Sequence, residues 1–235
     1  MIVDTKNRSQ EVEIMDDLDM TGELLIDTLD RIAQINRYLG GNKLTLSGLK
    51  EVLPGLSTEK VYTIVDLGCG NGDMLRTIAD FGKKKGIQFK LIGVDANKTT
   101  SQYAKVLSEK YDNIEFHHLD VFSKDFAEME YDIALSTLFL HHFGDDKAVH
   151  LVKQLMKRAS IGVIVNDLHR NRIAYYLFSI IATIVGNPMV KKDGLISILK
   201  GYKRIDLEKY AEQVGYTSSI KWKWAFRYQW IIKKK

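Results

Sequence analysis

The sequence has 235 residues, 45% hydrophobic and 27% charged, enough apolar mass for one large core, and this excludes disorder as the main state. Its 34 basic and 30 acidic residues leave a net charge of +4, a near balance that argues against a dedicated nucleic-acid binder. The single Cys69 excludes an internal disulfide framework, and the N-terminus lacks a basic region followed by an apolar one, so a reducing, cytoplasmic setting is expected.

Residues 1–30 hold nine acids against Lys6 and Arg8, whereas residues 221–235 hold six bases and no acid; such runs read as solvated faces. Leu18, Leu24, Leu25, Thr28, Leu29, Ile32, Ile35 and Leu39 recur at three- and four-residue spacing, predicting an amphipathic helix ended by Gly40-Gly41. A shorter helical stretch follows to Leu53, closed by Pro54-Gly55. Residues 1–59 thus form a helical N-terminal cap too small to hold a core alone. From residue 60 the pattern becomes VYTIVD (61–66), FKLIGVD (89–95), IEFHHLD (114–120), YDIALS (131–136) and IGVIVND (161–167), with helices starting near Gly72, Asn97 and Asp145. That alternation predicts an α/β, doubly wound, Rossmann-like parallel sheet with its ligand crevice at the strand carboxyl ends. Asp66, Asp95, Asp120 and Asp167 all fall at such ends. The most apolar stretch, 173–186, is about 14 residues, short of the roughly 20 that span a bilayer, so no membrane span is expected. Trp222, Trp224, Phe226, Tyr228 and Trp230 alternate with other residues, predicting aromatics on one face of a single closing strand.

The segment Val65-Asp66-Leu67-Gly68-Cys69-Gly70-Asn71-Gly72-Asp73 runs from a strand through three alternating glycines into a helix, where backbone amides can approach a nucleotide-like ligand. Its G-x-G-x-G spacing departs from the dinucleotide fingerprint, and no Walker lysine follows. Asp66, two residues before the first glycine, would repel a pyrophosphate and attract a cationic group. Asp95 is placed for ribose hydroxyls and Asp120 for an adenine amino group. A ribose, an adenine and a cationic tail without phosphates describe S-adenosylmethionine.

On VDLGCGNG and the later GVDAN, residues 60–235 resemble a class I S-adenosylmethionine-dependent methyltransferase. The resemblance implies a seven-stranded sheet with the last strand antiparallel. It implies that Gly68, Gly70 and Gly72 line the cofactor, that Asp95 binds its ribose, and that Asp120 lies beside its adenine. Asp66, Leu67, Ala96, Val121 and Ser136 complete the expected cofactor lining.

The loop after the fourth strand, Ser136 to Phe143, offers His141 and His142, of which at most one is expected to reach the substrate as a general base. There is no Pro-Pro pair for DNA amino-methylation, and Cys69 lies inside the glycine loop, where a cytosine-C5 nucleophile is not expected. Ser136 and the order Asn166-Asp167 depart from the metal-dependent catechol pattern, so no catalytic metal is expected. His117-His118, on one strand, reads as structural. A lid insertion of about residues 170–204 is expected over the crevice, with His169, Tyr175 and Tyr176 near the acceptor. The segments LDRIAQINRYLGG, LFLHHF and NDLHRNRIAYYL resemble small-molecule methyltransferases of the quinone and polyketide tailoring kind. The expected acceptor is therefore a small aromatic or polyketide-like hydroxyl compound. An RNA or protein acceptor, a non-catalytic cofactor-binding partner and a homodimer stay open on sequence alone.

Overall fold

In the computed structural model, which describes residues 3–53 and 59–234, the alternating pattern folds into one seven-stranded sheet. The elements in chain order are α1 (Glu23–Tyr38), α2 (Gly41–Val52), β1 (Val61–Leu67), α3 (Asp73–Lys85), β2 (Gln88–Asp95), α4 (Lys98–Leu107), β3 (Ile114–His118), α5 (Lys124–Ala127), β4 (Tyr131–Thr137), α6 (Asp145–Arg158), β5 (Ala159–Leu168), α7 (Arg172–Val185), α8 (Pro188–Lys200), α9 (Arg204–Val214), β6 (Ser218–Lys223) and β7 (Arg227–Lys233). Short 3-10 turns occupy Ile14–Asp16 and Leu140–His142. The strand order is β3-β2-β1-β4-β5-β7-β6. The first five strands pair in parallel, and β7 runs antiparallel to both β5 and β6.

Alternation along the central strands builds two cores, because successive side chains point to opposite faces. Val65, Leu67, Ile92, Val94, Val163, Val165, Trp230 and Ile232 pack on one side with residues of α6 and α9. Ile64, Leu91, Ile133, Ile164 and Ile231 pack on the other with α2 and α3. Leu49, Val52 and Leu53 belong to that second core, so α2 is part of the sheet's own packing. The Pro54-Gly55 closure expected after it lies outside the described residues.

Two expectations are corrected. Gly40 does not merely stop α1: it takes a left-handed conformation (φ 81°) as the first cap of α2 and turns one helix straight into the next. The C-terminal aromatics do not share a strand, because β6 and β7 form a hairpin with residues 224–226 in the turn. Trp222 and Trp224 are exposed while Tyr228 and Trp230 are buried. The period of two ran through the turn and could not mark it.

Residues 3–20 form a strap across the carboxyl edge, held by the half-buried Arg8 and the buried Arg170. Arg8 donates to the backbone oxygens of Lys200 (2.7 Å), His141 (2.9 Å) and Phe143 (3.0 Å), and to Asp145 (2.6 Å). Its guanidinium also lies 4.6 Å from the Tyr202 ring centre. Arg170 donates to the carbonyls of Thr5 and Lys6 and to Asp206. Removing Arg8 takes the donor from three part-buried carbonyls at once, so Arg8→Ala is expected to cost about 2–4 kcal/mol in denaturant unfolding; a loss under about 0.5 kcal/mol would show that the strap is not anchored there.

Candidate active site

A cavity of about 770 Å³ opens above the carboxyl ends of β1, β2, β4 and β5. One arm is walled by the glycine loop. Gly68 (φ 59°) and Gly70 (φ 53°) take left-handed conformations, which favour glycine. At Gly68 a Cβ would collide with the Phe139 ring, whereas at Gly70 it would meet only Leu29 at 3.7 Å. Gly72 (φ 76°) caps α3, and a Cβ there would strike Phe116. Gly72 therefore serves the turn and the packing, and it does not line the cavity.

The other expected cofactor positions divide. Asp66, Asp95, Ala96, Asp120 and Val121 all line the cavity. Leu67 and Ser136 do not: both are fully buried in the sheet, and Thr137 and Leu138 form the wall instead. Asp95 accepts hydrogen bonds from the amides of Gly70 (3.1 Å) and Asn97 (3.0 Å), which couple the second strand end to the loop. Burial raises the Asp95 carboxyl above its ordinary value, against those two amides. Burial and the neighbouring Asp95 push Asp66 up to about 8, and its Oδ1 has no hydrogen-bond partner. Burial also pushes the Cys69 thiol well up, which makes it an inert wall residue. An unpaired buried carboxylate, two bare glycines and a second carboxylate at the next strand end fit the ammonium tail, backbone and ribose of S-adenosylmethionine.

The second arm lies under the strap. His141 is buried; its ring Nδ1 lies 2.7 Å from Asp167 Oδ1, and its backbone amide donates to Asp167 Oδ2 at 3.1 Å. Burial opposes the Asp167 charge, yet His141 and the Leu168 amide hold the carboxyl below its ordinary value. An ionised Asp167 accepts a hydrogen bond from Nδ1–H, which leaves the lone pair on His141 Nε2, an atom with no hydrogen-bond partner that stands 3.9 Å from Glu13. His142 stacks on His141 at 4.4 Å, and its Nδ1 is engaged by Asp16 at 2.7 Å. Burial disfavours the His142 charge, but Asp16 and Glu13 outweigh it and raise the imidazole above its ordinary value. Lys200 Nζ stands 3.1 Å from both Glu13 and Asp16.

Glu13, His141 and His142 offer ligand atoms within 4.8 Å of one another, a metal-like grouping that the sequence pattern did not reveal. The Lys200 ammonium already supplies positive charge beside it. Glu13 and Asp16 also correct the reading of the acidic run as solvated: Glu13 is buried and ties Ser197 (2.7 Å) to the strap.

Of the expected acceptor contacts, His169 lines the cavity, with its Nδ1 accepting from Trp222 at 3.2 Å. Burial, with Arg170 and Lys203, lowers its imidazole. Tyr175 and Tyr176 do not line the cavity; the Tyr176 hydroxyl accepts from Val3 of the strap instead. The lining residues of α7 are Ala174, Leu177, Phe178, Ile180 and Ile181. Leu138 (φ 54°) and Phe226 (φ 51°) also line it in left-handed conformations that bulky residues rarely adopt. Each is pinned through the backbone, by Leu138 N donating to Asn166 and Phe226 O accepting from His169. His117-His118 stays outside the cavity wall.

Residues 64–160 match the family model of a methyltransferase domain. Putative methyltransferase 235L of Invertebrate iridescent virus 6 is 30% identical over 112 residues, 47% of this chain and 39% of that protein. The chain thus spans about two fifths of the length of the curated relative it matches. The plantazolicin methyltransferase BpumL in complex with SAH shares the fold at a TM-score of 0.65 and 17% identity, over 90% of this chain and 89% of that one. Human N-acetylserotonin methyltransferase with SAM does so at 0.63 and 16%, over 90% and 56%. The glycine loop, the carboxylate at the second strand end, the antiparallel seventh strand and the matched segment point one way: residues 64–160 are similar to a methyltransferase domain, and the chain shares the fold of methyltransferases that hold SAH or SAM.

Proposed function

We propose that the protein methylates a hydroxyl of a small, aromatic or polyketide-like acceptor, with His141 as general base. One observation carries the reading: a buried imidazole oriented by Asp167 in the wall of a cavity of small-molecule size, its Nε2 making no hydrogen bond and standing 3.9 Å from Glu13. When bound, the cofactor supplies an activated methyl group on a sulfonium sulfur. Asp66 holds the ammonium end and Asp95 the ribose. Phe139, Leu177, Phe178 and Ile181 offer apolar walls that exclude water from the acceptor. His141 Nε2 takes the hydroxyl proton as the oxygen becomes nucleophilic, and Asp167 stabilises the imidazolium that results. His142 is unsuited to that role because Asp16 occupies its Nδ1 and favours its charged form. Arg8, bonded to the His141 and Phe143 carbonyls, is a positioning residue for the turn that presents the base.

Calorimetric titration with S-adenosylhomocysteine tests the cofactor half. Wild type is expected to bind, and Asp95→Ala to bind about 10- to 100-fold more weakly, the range set by hydrogen bonds to a charged group. No binding by the wild type would sink the proposal.

A further inference from the structure

Arg227 opens β7 and lines the cavity, yet its side chain is almost wholly buried. Its Nη1 donates to the neutral Asn36 at 2.6 Å, and its Nε has no hydrogen-bond partner. No carboxylate among the described residues forms an ion pair with it. Asp167, the anion that acts on it electrostatically, already accepts from the His141 ring, the His141 amide and the Leu168 amide. Such a cation is costly to bury without an opposite charge, and burial pushes the guanidinium down to about 10. The rest of the wall does nothing to offset it: Asn36 is held in turn by Asn42, whose amide donates to Asp73. That chain of hydrogen bonds fixes the guanidinium in place, and the carboxylate at its far end, Asp73, stands two side-chain amides away and is ion-paired with Arg37.

We infer that Arg227 is an anchor for a carboxylate on the methyl acceptor, so that the substrate is an aromatic acid and not a neutral phenol. The inference rests on the methyl-transfer reading and narrows its acceptor class. Sheet position separates this anchor from the cofactor. Arg227 sits on β7, beyond β5 from β4, whereas the glycine loop follows β1 on the other side of β4. Neighbouring strands are about 4.8 Å apart, so the two arms are separated by three strand spacings. Around Arg227 the wall is aromatic: Trp224 and Phe226 lie on the hairpin turn, and His169 stacks on Phe226. Such a wall receives a flat ring while the guanidinium takes its acidic group in a charge-assisted, two-pronged contact.

The test compares 2-naphthoate with its neutral isostere 2-naphthamide, each titrated at pH 7.5 into the protein saturated with S-adenosylhomocysteine. Wild type is expected to prefer the acid by tenfold or more. Arg227→Gln should abolish the preference, and Arg227→Lys should keep part of it. Equal affinity of acid and amide for wild type would overturn the inference without any variant that must fold. So would a tenfold loss of S-adenosylhomocysteine affinity in Arg227→Gln with unchanged affinity for 5'-methylthioadenosine, because the anion would then be the cofactor's own carboxylate. If wild type failed to bind S-adenosylhomocysteine, the methyl-transfer reading would fall instead. Titration of the unliganded protein with the same pair would then judge Arg227 separately, a preference for the acid supporting the anchor and equal affinity overturning it.

Discussion

Asp167→Asn is expected to lower kcat by about 10²- to 10⁴-fold while leaving S-adenosylhomocysteine affinity within about twofold. The asparagine keeps the shape but can no longer accept two hydrogen bonds from His141 as an anion. If its amide nitrogen faces the ring, the His141 proton moves to Nε2 and the lone pair is lost from the cavity side. His141→Gln should cost a similar factor. His142→Gln, by contrast, should change kcat far less, because its role is the ion pair with Asp16. Nitrogen-15 spectra of the histidines give a readout that needs no acceptor: wild type should show His141 Nδ1–H hydrogen-bonded to a carboxylate, and Asp167→Asn should not. An unchanged kcat in both His141→Gln and Asp167→Asn would remove the pair from the mechanism.

Asp66→Asn is expected to stabilise the protein with no ligand present, and by more as the pH rises. The folded carboxyl titrates near 8, against 3.8 ordinarily. Below about pH 4 it is protonated in folded and unfolded chains alike, so it carries no penalty. From about pH 4 to 8 the unfolded chain has ionised while the folded one keeps its proton. Stability therefore falls with rising pH by up to about 1.4 kcal/mol per unit, to a ceiling of about 6 kcal/mol. Asparagine lacks this slope, so urea unfolding should show the variant's advantage growing from pH 4.5 to 8.5. The same variant should lose affinity for S-adenosylhomocysteine, whose ammonium group favours the ionised Asp66. Wild type should release close to one proton on binding near pH 7, seen as a buffer-dependent calorimetric enthalpy, and the variant should not. An advantage that does not vary with pH would refute the raised carboxyl.

The sheet was legible because its strands are short apolar runs ending in acids, with a glycine loop at a spacing that few other sites share. Five of the seven strands follow from that pattern. The β6–β7 hairpin was missed because its turn, residues 224–226, carries large aromatics and neither glycine nor proline. Asp66, Asp95 and Asp120 were visible through their register with the loop. Gly72, Leu67 and Ser136 were not separable from true wall residues, since a motif records which residues recur and not which of them face the ligand. His141 and His142 could be named as a pair, but choosing between them needed Asp167 and Asp16, which are 26 and 126 residues away in the chain. The charged half of the site had no local signal at all. Glu13 and Asp16 look like any solvated acids until Lys200 and Ser197 are brought against them. Arg227 sits within a run of bases that reads as surface charge.

The strap also sets the order in which the site can form. Asp16 meets Lys200 and Glu13 meets Ser197 across 184 residues each, and Arg8 meets Tyr210 across 202. Contacts of such separation require a large loop to close before they contribute anything. The sheet and the glycine loop, built from nearer neighbours, can therefore assemble before the acceptor arm has its outer wall. During refolding, S-adenosylhomocysteine should be captured early, while the slowest fluorescence phase should follow the docking of residues 3–20 and lengthen in Arg8→Ala.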